Sequence, residues 1–182
     1  MTTFAILVAS QNHNITLGNT IKDEVAVQGG AAELVDLVAL DLPLYSSTVH
    51  ETHGVPDAIL PMREVVSQSL GVVFVSPEYN GGIPPALTNA LAWLSVTEKN
   101  WRDAFQSKIA GIATFSGGDG MLLVTGLRIQ LAYIGLTVIG RPLRASFSKP
   151  VTPESCTAFV AELINKALSS STIEKLNLSW FR

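Results

Sequence analysis

Cysteine, charge and long apolar runs are all scarce in this chain. Its one cysteine, Cys156, excludes an internal disulfide and fits a reducing compartment. Charged residues make up only 15% against 47% hydrophobic, and the net charge is −3, which leaves no electrostatic footprint for nucleic acid or an anionic membrane. No run approaches the roughly 20 apolar residues a membrane helix needs. The first residues, MTTFAILVASQ, carry no basic segment, and their apolar run stops at Ala9, so they are expected to form a strand rather than a secretory signal. No linker, repeat or low-complexity tract interrupts the sequence. These absences lead us to expect one soluble, cytoplasmic domain over residues 1–182, with no membrane or nucleic-acid partner.

Three short apolar runs stand out: FAILVA (4–9), GVVFVS (71–76) and KIAGIATFS (108–116). Continuous rather than alternating hydrophobicity marks strands covered on both faces, as in a parallel sheet. AELVDLVAL (32–40) reads as a weaker strand and LTVIGRPL (136–143) as a fifth. Helical spacing appears over 18–27, 57–70 with Pro61 in the first turn, 85–95, 119–135 and 153–168. Strand and helix alternating five times predict a doubly wound α/β fold, a five-stranded parallel sheet in the order 2-1-3-4-5 with helices on both faces. Ligands bind such sheets beyond the carboxyl ends of the strands, near the point where the strand order reverses. That rule selects the loops after Ala9, Ser76 and Phe115.

All three loops are chemically unusual. SQNHNITLGNT (10–20) is rich in hydroxyls and amides, has no lysine or arginine before Lys22, and runs into a helix N-terminus. An anion there would be held by neutral donors: backbone N–H groups, Ser10, Asn12, Thr16, Asn19 and Thr20. The competing reading is that these residues simply cap the helix. Neither G-x-x-x-x-G-K-[ST] nor G-x-G-x-x-G occurs. SPEYNGGIPP (76–85) sets Glu78, Tyr79 and Asn80 before two glycines that allow close backbone approach to a flat ligand. FSGGDGM (115–121) offers Ser116, Gly117 and Gly118 as a backbone contact surface, with Asp119 expected to cap the next helix.

The stretch Pro77–Leu94, PEYNGGIPPALTNALAWL, closely matches P-E-Y-N-G-S-I-P-x-x-L-K-N-A-L-D-W-L, departing at Gly82, Thr88 and Ala92. That pattern resembles the NADPH-dependent FMN reductase family, flavodoxin-like flavoproteins that include quinone, azo and chromate reductases. ELVDLVALDLPLY (33–45) resembles the family's second strand and its D-L-P-x-[FY] loop, and the similarity covers about residues 3–150. The resemblance implies a flavodoxin-like fold, FMN as cofactor and NADPH or NADH as co-substrate. It places Pro77, Glu78, Tyr79, Asn80 and Gly81 along the isoalloxazine, Ser116, Gly117 and Gly118 at its other edge, and Ser10, Asn19 and Thr20 at the phosphate. It also implies hydride transfer from NAD(P)H to FMN N5, then electron transfer to a quinone, flavin, azo or metal-oxyanion acceptor, in a ping-pong cycle. No side chain is assigned as catalytic, since the flavin carries the chemistry. Many members have an arginine where this chain has Asn12. A flavodoxin-type carrier without an NAD(P)H site and a flavin-less interaction module of the same fold remain as alternatives.

Other features read more plainly. His50-Glu51-Thr52-His53 has a spacing of three rather than the four of H-E-x-x-H, and is expected to be a mobile loop with solvated histidines, not a metal site. His13 is expected at the surface, and Cys156 as a small buried residue. The helix MLLVTGLRIQLAYIGL is apolar on nearly all sides, which fits a subunit interface in a homodimer or homotetramer. The tail residues Leu176, Leu178, Trp180 and Phe181 are expected to pack across a subunit or back on the domain.

Overall fold

The computed structural model describes residues 3–180, with side chains described through residue 170; Phe181 and the side chains of Leu176, Leu178 and Trp180 lie outside them. Strands β1 (Thr3–Val8), β2 (Ala31–Asp36), β3 (Gly71–Val75) and β4 (Ile109–Phe115) form a parallel sheet in the order β2-β1-β3-β4. Beyond β4, two short strands share one position: β5 (Thr137–Val138) pairs with its start and β6 (Leu143–Ala145) with its end. The expected order 2-1-3-4-5 is therefore present, with its last strand split. Pro142 has no N–H to give a ladder. At the break Gly140 donates its N–H to Glu162 Oε1 (3.3 Å), and its carbonyl accepts from Arg128 (2.6 Å). Side chains thus satisfy the backbone groups that the ladder drops.

Alternation along the strands builds two cores. Ala5, Leu7, Val72, Phe74, Ala110 and Ile112 face α3 (Leu60–Gln68), α4 (Pro85–Leu94) and α5 (Met121–Tyr133). Phe4, Ile6, Val8, Val73, Val75, Ile109 and Ala113 face α1 (His13–Val27) and α6 (Pro153–Trp180). Burial on both faces explains the unbroken apolar runs. Pro61 sits in the first turn of α3, where a missing N–H costs nothing.

Several elements differ from the reading of the sequence. Helix α1 starts at His13 rather than residue 18. Strand β2 ends at Asp36, where the Asp36 carboxylate accepts from Val38 and Ala39 N–H and turns the chain. The histidine segment is not a loop but the helix α2 (Ser47–His53), capped by Ser46 Oγ accepting from Val49 N–H. Helix α6 continues beyond residue 168 to Trp180.

Candidate functional site

Loops after β1, β3 and β4 meet at one end of the sheet. Ser10–Asn14, Pro77–Tyr79, Phe115–Gly117 and Phe147 wall a cleft of about 210 Å³. A second cleft of about 440 Å³ adjoins it across Ser10–Asn12 and Tyr79, and reaches Val38 and Pro84–Ala86. Together they offer a concave surface of the size small ligands use, with an exposed tyrosine on their shared wall.

Three struts hold this surface. Asn14, buried on the first turn of α1, donates to Ser10 Oγ (3.1 Å) and the Phe115 carbonyl (3.0 Å), and accepts from Phe115 N–H (2.9 Å). One amide thereby locks the first loop to the end of β4. Ser116 Oγ accepts from Glu78 N–H (2.8 Å) and is hydrogen-bonded to Thr114 Oγ1 (2.8 Å), which ties the second loop to the third. Glu78 Oε2 accepts from Leu123 N–H (3.0 Å) and so places its charge at the N-terminus of α5. Asp119 Oδ1 accepts from Met121 N–H at the same terminus, the capping role expected of it.

The turn between Tyr79 and Gly82 has its own logic. Tyr79 and Gly82 exchange two backbone hydrogen bonds, with Asn80 at φ 51° and Gly81 at φ 75°. Positive φ at both central positions is a type I′ turn, for which Asn-Gly is the preferred pair. Turning the chain therefore accounts for Asn80 and Gly81, whereas it leaves the half-exposed Tyr79 without a structural role. Gly117 and Gly118 are different again: a Cβ on either would meet nothing within 4 Å. No internal packing requires glycine there.

Of the residues singled out in the sequence, Ser10, Asn12, Pro77, Glu78, Tyr79, Ser116 and Gly117 line one cleft. Gly118 lies just outside it, and Asn80 and Gly81 form the turn tip. Thr16, Asn19 and Thr20 are helical and exposed, not loop residues. The Thr16 and Thr20 hydroxyls donate back to the carbonyls of Asn12 and Thr16. Asn19 sits roughly 9 Å along the helix from its first residue at 1.5 Å per residue, too far to join its N-terminal donors. Asn12 occupies the N-cap at φ 57° and makes no side-chain cap, so the neutral-donor end of α1 is open toward the cleft.

Aromatic residues absent from that list complete the wall. His13 stacks on Phe115 with centroids 4.3 Å apart and planes at 17°, and Phe147 meets both edge-on at 5.1 and 5.0 Å. Phe147 lies after β6, in a segment with no pattern linking it to the other three loops. His50 is far from solvated isolation: its ring lies 6.1 Å from Trp93 and 6.4 Å from Tyr45. Trp93 Nε1 donates to the Pro43 carbonyl, while Asn89 Oδ1 accepts from Tyr45 N–H and its amide donates to the Pro43 carbonyl. The second half of the signature stretch therefore anchors the Asp41–Tyr45 loop.

Comparison with known proteins identifies the family. Residues 2–149 match the family model described as NADPH-dependent FMN reductase. A quinone reductase of Escherichia coli (strain K12) is 44% identical over 55 residues, 30% of this chain and 29% of that protein. A probable NADPH:quinone oxidoreductase 2 of Oryza sativa subsp. japonica is 35% identical over 97 residues, 53% of this chain and 45% of that protein. The matches thus span less than half the length of these relatives. Among solved structures, FerB, a flavoenzyme NAD(P)H:(acceptor) oxidoreductase from Paracoccus denitrificans, superposes with a TM-score of 0.74 at 21% identity, over 93% of this chain and 99% of that one.

Proposed function

The chain belongs to the NADPH-dependent FMN reductase family, and from that premise we propose that it is an NAD(P)H-dependent FMN oxidoreductase acting on a small electron acceptor such as a quinone. The observation that carries the proposal is one juxtaposition: the open N-terminus of α1, the Tyr79 wall and the unfilled Gly117 edge surround a single cleft. This donor set fits FMN. First-turn N–H groups of α1, with Ser10 and Asn12, would take the phosphate without any cation. Pro77, Glu78 and Tyr79 would lie along one side of the ring system, and Ser116, Gly117 and Gly118 along the other. FMN when bound supplies the hydride and electron-transfer chemistry.

The chain's own residues bind and orient. Asn14, Ser116 and Glu78 fix the three loops relative to one another, so the ring-binding surface is set before ligand arrives. Glu78 is committed to Leu123 N–H and is a positioning residue, not a base. NAD(P)H and acceptor share one open cleft and bind in turn, which predicts parallel lines in initial-velocity plots. The exposed apolar row on α5 belongs to the same proposal as the interface of a homodimer.

The test is the visible spectrum of purified protein, with FMN added to apo protein and NADPH then titrated anaerobically. Flavin absorbance that is retained by the protein and then bleaches is the expected result. Retention without bleaching would make the protein an electron carrier. No retention at micromolar FMN would overturn the assignment of the cleft.

A further inference from the structure

We propose that a basic groove beside the cleft holds the phosphates of the nicotinamide dinucleotide. Arg144 and Lys149 line a hollow with Gly118, Asp119, Ala145 and Ser146. The same two cations continue into a second hollow, where Arg141 joins them. The groove starts where the cleft ends, since Gly117 and Phe147 wall the cleft while Gly118 and Ser146 wall the groove. The order from the cleft outward is Phe147, then Arg144 with Lys149, then Arg141.

The fold puts the cations there for local reasons. Arg144 is the exposed central residue of β6, paired with Thr114 of β4. Ser146 and Lys149 exchange backbone hydrogen bonds, and this turn raises the exposed Phe147 while returning Lys149 to the groove. Arg141 is exposed at the break between β5 and β6. Three cations in nine residues stand out in a chain whose net charge is −3. Opposing charge is limited. Asp119 meets Arg144 at 3.5 Å but also caps α5, and Glu162 is turned to Gly140 N–H. Neither Arg141 nor Lys149 has an acidic partner within 4.0 Å among the described residues. The groove therefore has spare positive charge suited to phosphate oxygens.

The ligand is named from the reductase reading, on which this inference rests. Arg144 and Lys149, nearer the cleft, take the pyrophosphate, and Arg141, farther out, takes the 2′-phosphate that NADPH has and NADH lacks. Phe147 between cleft and groove gives the dinucleotide an aromatic face to cross.

The experiment combines binding and kinetics. Calorimetry with 2′,5′-ADP on wild type should show binding that weakens with salt, and that inorganic phosphate does not match. Arg141→Gln and the pair Arg144→Gln with Lys149→Gln should each weaken 2′,5′-ADP by on the order of tenfold per cation lost. Asp119→Asn, which keeps the cap acceptor, should tighten it. In turnover, Arg141→Gln should raise the KM for NADPH and leave that for NADH unchanged. The double variant should raise both, with FMN affinity and acceptor KM unaltered. Wild-type affinity for 2′,5′-ADP in every variant overturns the proposal, as does equal binding of inorganic phosphate. If NADPH bleaches the flavin while 2′,5′-ADP fails to bind, the groove falls and the reductase reading stands. If FMN does not bind but 2′,5′-ADP binds through these cations, the reverse holds.

Discussion

Glu78 lines the cleft, yet its carboxylate serves a helix 45 residues away in sequence. Replacing it by alanine removes a charge-assisted hydrogen bond at the N-terminus of α5. The expected loss is about 1–2 kcal/mol of stability, read from urea midpoints. FMN affinity should fall with it, because the second loop loses its side-chain tether to α5 and keeps only the backbone bond from Glu78 N–H to Ser116. Cys156 makes a different point. Burial, and secondarily the Glu24 carboxylate, raise its thiol to about 11 from an ordinary 9.0. Between those values the unfolded chain loses a proton that the folded chain keeps. The stabilisation is fully present below pH 9 and is lost as pH rises through about 11. Urea titrations across that window should show a decline that Cys156→Ala lacks. The same burial predicts slow reaction with thiol reagents at neutral pH.

Among the elements, β4 and α6 depend on one missing side chain. A Cβ on Gly111 would stand 2.7 Å from Phe159 Cζ, so the glycine lets α6 lie close on the sheet. Gly111→Ala should cost about 1–3 kcal/mol by overpacking, with part recovered by adding Phe159→Leu; equilibrium unfolding of both variants checks this. The strands were legible because sheet burial on both faces writes an unbroken apolar run, as in FAILVA and GVVFVS. Helix α2 was not legible: none of its residues is buried, so it leaves no apolar stripe. The start of α1 was hidden for a related reason. His13, Asn14 and Thr16 look like loop chemistry, and the apolar spacing that marks a helix begins only at Leu17. Strand β2 looks longer in the sequence than it is, because Leu37 is buried although the chain has already turned at Asp36. The site shows the same division. Tyr79, Ser10 and Gly117 could be placed from strand ends alone. The strut role of Ser116 depends on a partner 38 residues distant, and Phe147 joins the cleft only through the pairing of β6 with β4.

At the scale of the whole molecule, the helix α5 buries Leu123, Val124, Leu127 and Leu131 and exposes Leu122, Ile129 and Tyr133. A helix on a sheet face ordinarily turns polar residues outward. We expect light scattering to report a dimer, and Ile129→Asp to shift it to monomer with the folded spectrum intact. A monomeric wild type at micromolar concentration would remove the interface from the proposal. The split fifth strand has a consequence of another kind. It forms an outer edge of the sheet, and such edges are where one chain can recruit the exposed backbone of another. Here the edge is two residues, then a break containing Pro142, then three. Neither piece is long enough to template an incoming strand, and the backbone of Gly140 at the break is already engaged by side chains. A chain with so few charges gains from this edge a resistance to sheet-to-sheet aggregation that its composition alone would not provide.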